Sequence, residues 1–382
     1  MVDRKDIQPH LIARARPAMK ALSLVSDYRH AIRSASSGNP LRAPRGLTSV
    51  LVARAAFDIG PRFHSLYDLA SVPRTDWPEF IIDVGLKKIM RRINAPEDRE
   101  IVNDKLRFFR HCEANALPSI PILGAIDRTS EDPTLNGVDN SLWVEQMGSA
   151  PDRVFIKLID GTWGIDAFIA ERRGNDNWRF CERNGAAADL HAFCLERLKG
   201  RRGWIVQPLV RSHAQLHRIM SSHALGTIRA VTFIENGIVA LPYAVLRIPV
   251  GKNRADNFSH GASGNLVAPI TMETGIVGVA RGSKRKDWPE MMDVDVHPDT
   301  QNRISGFALP FWSELKKLIV AAHKSLPNLA TLGWDVAITD SGPLIVETNP
   351  TYDVDLLQVA LRRGLKSELV NTRLLPALAS KA

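Results

Sequence analysis

The spacing of apolar positions changes character along the chain. Over residues 8–36, Leu11, Ile12, Ala15, Met19, Leu22, Val25 and Tyr28 recur at helical spacing and predict an amphipathic helix. Residues 37–44, with Ser, Gly and Pro, read as a loop. Residues 46–100 give further helical patterns, broken by Pro61, Pro73, Pro78 and Pro96. From residue 103 strands enter. The run NDKLRFFRHCEA predicts a helix capped by Asp104 and ending near Asn115. RVFIKL, Arg153 to Leu158, alternates as a half-buried strand does. A strand near 175–180, a helix over 191–199 and a buried strand over 203–210 follow. The apolar runs 227–235 and 238–248 flank Asn236-Gly237, a strong hairpin signal. Residues 256–265 read as a polar, glycine-rich loop and 281–302 as a charged connector. A helix over 311–326, a hairpin over 332–353 and helical spacing over 354–378 complete the pattern.

The 332–353 hairpin carries the strongest chemistry. LGWDVAIT and PLIVETN are short, β-branched runs separated by Asp340, Ser341 and Gly342. A three-residue loop centred on Ser341 sets Asp335 opposite Glu347, and Asn349 shares the face of Glu347. Two carboxylates and an amide oxygen interrupting apolar strands suit a hard cation such as Mg²⁺.

Other polar residues stand out against their surroundings. Lys105 falls in the first turn of its helix, where the dipole does not favour a cation. Lys157 closes a strand and precedes Gly161 and Gly164, an arrangement able to cradle phosphate although it is not a P-loop. Gln207 and Pro208 end a buried strand; the proline removes a ladder donor, and backbone groups freed there can meet an adenine edge. Arg229 and Arg247 lie within apolar strands and are candidates to clamp phosphate or carboxylate. His297 and His323 lack metal-ligand spacing and read as structural.

Composition narrows the partners. The 382 residues carry a net charge of +9, with cations concentrated early at Arg14, Arg16, Lys20, Arg29, Arg33, Arg42, Arg45 and Arg54. This favours an anionic partner. No basic stripe interleaved with aromatics accompanies it, so nucleic acid is not expected. Three scattered cysteines, no secretory signal and no membrane-length apolar run point to a cytoplasmic protein. The 8–36 helix is expected to bury its apolar face, with membrane association the less favoured reading.

Taken in order, these parts resemble the ATP-grasp superfamily, and most closely its sugar-transfer-associated branch, related to glutamate-ligase-like enzymes. The resemblance rests on Lys105 in NDK; Lys157 before Gly161 and Gly164; 204–209 with Gln207; Thr227 and Arg229; Asp256, Asn257 and Gly264; and GWDVAIT with Glu347 and Asn349. It departs at Trp163, which makes the glycine loop bulky, and at Thr271, where an acidic residue is expected. The resemblance implies an α+β fold in which two α+β subdomains clasp the nucleotide. Residues 1–100 form a mainly helical N-terminal region, 101–205 the smaller subdomain with the glycine loop and 206–382 the larger one with the metal hairpin. It implies ATP held by Lys105, Lys157, Gly161, Gly164, Gln207, Pro208 and Leu209. One or two Mg²⁺ ions, replaceable by Mn²⁺, fall to Asp335, Glu347 and Asn349, and catalysis to Arg229, Arg247 and Asn257. The implied activity is an ATP-dependent carboxylate–amine ligase using an acyl-phosphate. Its substrates are a small or sugar-linked carboxylate and an amine or other nucleophile, in cell-surface polysaccharide synthesis. The alternatives are a nucleotide-binding regulator or scaffold without turnover, and an ATP-dependent phosphotransferase.

Overall fold

The segments of strand period beyond residue 123 pair into two sheets in a computed structural model that describes residues 23–82, 85–129, 140–161, 166–198, 200–221 and 224–380. The first sheet has six strands: β1 (Gly124–Asp127), β2 (Arg153–Leu158), β3 (Phe168–Gly174), β4 (Asn177–Phe180), β5 (Arg183–Gly185) and β6 (Gly203–Pro208). Their order is β1-β6-β2-β3-β4-β5, antiparallel throughout. The alternation in RVFIKL buries Val154, Ile156 and Leu158 in a core closed by Trp143 and Leu190 of the helices Asn140–Ser149 and Ala187–Arg197. Lys157 is thereby turned to the opposite face.

The second sheet has seven strands: β7 (Thr227–Glu235), β8 (Ile238–Ile248), β9 (Leu266–Pro269), β10 (Ala280–Ser283), β11 (Met291–Val294), β12 (Thr331–Thr339) and β13 (Gly342–Asn349). Their order is β11-β10-β9-β8-β7-β12-β13, again antiparallel. Every residue of β12 is buried, because the sheet is covered on both faces. One face packs on Phe108 and Cys112 of the helix Lys105–Ala114 and on Leu315 and Ile319 of the helix Trp312–Lys324. The other packs on Ala53, Met90 and Ile93 from the N-terminal helices and on Leu357 and Leu369 near the C-terminus. The N-terminal helices therefore share a core with the larger sheet. So does the helix beginning at Lys105, which sequence assigned to the smaller half.

The Asn236-Gly237 turn has both residues at positive φ, 52° and 78°, as a tight hairpin requires. The connector expected over 281–302 instead holds β10 and β11; Arg281 and Asp293, which hid the strand pattern, face each other at 2.8 Å. The polar 256–265 segment is built in, with Asp256, Gly261 and Asn265 buried. Ser259, His260 and Gly261 have φ of 48°, 54° and 84°. His260 Nε2 lies 2.5 Å from Asp355 Oδ2. His297 and His323 are buried and bond the Pro249 and Leu329 carbonyls at 3.1 and 2.7 Å, a structural role as read. Residues 23–35 are helical, whereas 8–22 of the expected helix, including Leu22, lie outside the described residues. Tyr28, Ala31, Ile32 and Ala35 pack with Val50 and Trp288, but Leu24 and Val25 stay exposed.

Candidate nucleotide and metal site

Between the sheets lies a cavity of about 400 Å³. Lys105, Lys157, Gly161, Gln207, Pro208, Leu209, Arg247, Asn257, Asp335 and Glu347 all line it. Of the remaining candidates, Gly164 is outside the described residues. Arg229 stands behind Asp335, and Asn349 is half-buried further along β13.

Asp335 and Glu347 are paired across β12 and β13, as the hairpin spacing predicts, but by another route. Thr339 pairs with Gly342, so only Asp340 and Ser341 lie between paired residues. A register shift between Asp335 and Val336, with Val346 as the extra residue, restores the facing pair. Gly342 has φ 113°, a conformation that favours glycine.

Asp335 is buried where β12 runs beside β7, directly opposite Arg229. Arg229 donates to it through Nε at 2.5 Å and Nη2 at 3.1 Å, and Arg247 Nη2 lies 2.8 Å away. Burial by itself would raise this carboxyl; the two guanidinium groups outweigh it and hold it at about 2. The network continues outward. Arg247 Nε donates to Thr227 Oγ1 at 2.9 Å, and the Thr227 hydroxyl donates to Asp256 Oδ2 at 2.6 Å. Burial raises the Asp256 carboxyl against the pull of Arg247.

The lysines are placed by local structure. Asp104 caps its helix by accepting from the N–H groups of Leu106 and Arg107 at 2.9 and 3.0 Å. Arg202 clamps Asp104 and, through Nη2 at 2.6 Å, Asp127. Lys105 Nζ donates to the carbonyl of Gly161, tying the helix to the start of the glycine loop. Burial lowers the Lys105 ammonium and brings that of Lys157 down to about 8; the charge of Glu347 opposes both shifts. Gln207 Nε2 is taken by the Ile120 carbonyl at 3.0 Å, and the Leu209 N–H by the Arg153 carbonyl at 3.1 Å. Among the described residues the next N–H, that of Val210, has no backbone partner, and Val210 lines the cavity. It was not singled out by sequence, nor were Arg202, Arg211 and Arg254. Nothing in a linear pattern distinguishes these arginines from surface charge, although Arg211 and Arg254 also line the cavity.

The donor set fits a metal that arrives with its nucleotide. Among the described residues no group of three or more His, Cys, Asp and Glu side chains could hold an ion alone. Asp335 already accepts three N–H donors, leaving it about one acceptor position. One or two carboxylates completed by phosphate oxygens and water is the usual Mg²⁺ arrangement.

A family model described as sugar-transfer associated ATP-grasp matches residues 87–373. No curated protein matches the chain. Among solved structures, it is similar to D-alanine–D-alanine ligase from Bacillus anthracis, with 11% identity over 75% of this chain and 69% of that one and a TM-score of 0.40. D-alanyl-alanine synthetase A from Vibrio cholerae matches with 11% identity over 75% and 67% of the two chains and a TM-score of 0.42. Biotin carboxylase from Campylobacter jejuni matches with 10% identity over 75% of this chain and a TM-score of 0.42; only 48% of that longer chain is spanned.

Proposed function

This chain belongs to the sugar-transfer associated ATP-grasp family, and from that premise we propose that it is an ATP-dependent ligase joining a carboxylate to an amine or related nucleophile. In this reading ATP with Mg²⁺ supplies the phosphoryl group that converts the carboxylate to an acyl-phosphate, and the nucleophile then displaces phosphate. The observation that carries it is the convergence of Lys105, Lys157, Asp335 and Glu347 on one cavity between the sheets.

The residues divide the work. Lys105 and Lys157 hold phosphate oxygens, and the half-buried setting strengthens each contact. The backbone beyond Pro208, with its Val210 N–H, faces the adenine edge. Asp335 and Glu347, with Asn349 further along β13, would hold Mg²⁺, which would neutralise phosphate charge. Arg229 and Arg247 hold Asp335 ionised and fixed, and Arg247 with Asn257 is presented to the reacting group. Phosphoryl transfer asks for positioning and charge neutralisation more than covalent work by the protein. Among the described residues Arg211 and Arg254 make no ion pair, and these cavity cations support an acidic substrate, sugar-linked or small, in keeping with a cytoplasmic step of polysaccharide synthesis.

The test is release of ADP, AMP and phosphate from Mg·ATP against a panel of carboxylates with amines. ADP and phosphate formed only when both are present supports the ligase. Phosphate retained on an acceptor makes the protein a phosphotransferase. The commitment of most acceptor positions of Asp335 to two arginines favours a second reading, a nucleotide-binding module without turnover. ATP binding with no product from any pair would establish that one.

A further inference from the structure

Among the described residues, the two helices nearest the N-terminus carry more apolar surface than the rest of the described fold covers. The helix Ala43–Phe57 buries Gly46, Val50 and Ala53 along one stripe. A second stripe, Pro44, Leu47, Leu51 and Ala55, lies about 140° round the axis, and all four are exposed. Leu47 and Leu51 keep 42% and 48% of their surface open, and Leu41, in the turn just before the helix, keeps 90%. In the adjoining 23–35 helix Leu24 and Val25 are 54% and 52% exposed. A helix apolar over more of its circumference than its own core needs is serving another partner.

Charge identifies that partner. Between Tyr28 and Phe57 there are five arginines, Arg29, Arg33, Arg42, Arg45 and Arg54, against the flanking Asp27 and Asp58, of which Asp58 pairs with Arg54. Among the described residues Arg42 and Arg45 make no ion pair, and with Arg74 they line one open cleft beside this helix. Exposed leucines framed by arginines match a bilayer with anionic headgroups, which takes the leucines at the acyl boundary and the guanidinium groups at phosphate depth. No described helix is long and apolar enough to cross a membrane, so the contact is peripheral. We propose that residues 24–57 form a docking surface for an anionic lipid membrane, and that the protein works against that surface.

The measurement is co-sedimentation of the full chain with vesicles of phosphatidylcholine alone and of phosphatidylcholine mixed with phosphatidylglycerol, at low and physiological salt. Binding is expected only to the mixed vesicles. Leu41→Ser, Leu47→Ser and Leu51→Ser combined, or Arg42→Ser with Arg45→Ser, should each lower it about tenfold or more. Because these side chains are exposed, the melting temperature should hold. Ile238→Ser, at an equally exposed apolar position on β8, should change nothing. Failure of the full chain to bind mixed vesicles would overturn the proposal. So would binding by the leucine and arginine variants as strong as that of the unaltered chain. Concentration-dependent self-association that the leucine variants abolish, without vesicle binding, would assign the face to a second copy of this chain instead.

Discussion

Lys157 is the residue whose charge is held at a cost. Burial brings its ammonium from 10.5 down to about 8, so between those values the unfolded chain binds more protons than the native one. Stability of the apo protein should therefore rise with pH across that window. Lys157→Met removes the buried charge and should flatten the slope, leaving the apo protein at least as stable at neutral pH. The same variant should weaken ATP binding by at least about 1.5 kcal/mol, as expected when a hydrogen bond to a charged group is lost. ATP should also draw a proton onto Lys157 above pH 8, read as a dependence of calorimetric enthalpy on the ionisation heat of the buffer. Unchanged ATP affinity in Lys157→Met would remove this lysine from the phosphate site. Asp335 has the opposite sign. Its carboxyl is depressed to about 2, so its contribution is complete above the ordinary value of 3.8 and is lost as pH falls through about 2. Asp335→Ala leaves the half-buried Arg229 and the buried Arg247 without their shared partner, and should cost about 3–5 kcal/mol in denaturant titrations. Glu347→Gln, free of that burden, should retain apo stability and lose the Mg²⁺-dependent part of ATP binding.

At the scale of elements, the hairpin shows what a sequence discloses and what it conceals. The long strands β7 and β8 were legible because Asn-Gly separates two sustained apolar runs. The short strands β10 and β11 were not, because Arg281 and Asp293 interrupt four-residue segments whose burial comes from neighbours. The Asp335–Glu347 pairing was legible only because the shorter loop and the bulge at Val346 compensate. The partner of Asp335 was not legible at all: Arg229 lies 106 residues away in sequence, and strand order is a property of the whole sheet. The bulge supports a prediction. Side chains alternate with period two, so deleting Val346 turns either Glu347 or the residues before it to the wrong face. Stabilisation by Mg·ATP should disappear in that variant. A deletion variant that melts as the full chain does, with the same Mg·ATP shift, would show that the bulge does not place Glu347.

Across the whole molecule the cavity is where two separate cores meet. The six-stranded sheet closes a core of its own, with Trp143, Trp178 and Trp204, and among the described residues those of the N-terminal and C-terminal helices pack elsewhere. Among the described residues the direct links between the halves are local. Backbone bonds join Ile120 and Ile345 at 3.2 Å and Ile345 and Pro118 at 2.9 Å, Arg202 spans Asp104 and Asp127, and Lys105 donates to the Gly161 carbonyl. Two cores joined by a thin seam need not unfold together. In the apo protein, amides of residues 153–208 should exchange through an opening that leaves the buried β12 protected. A ligand that touches Lys157 from one sheet and Glu347 from the other binds only when both are folded. At a hundredfold excess over its dissociation constant, Mg·ATP should add about 2.7 kcal/mol. Hydrogen exchange followed by mass spectrometry reads where that increment falls. Protection should rise in residues 153–208 and 331–349 together, and the two halves should then open as one unit. Gain confined to either sheet would mean that the nucleotide sits on one half and does not bridge them.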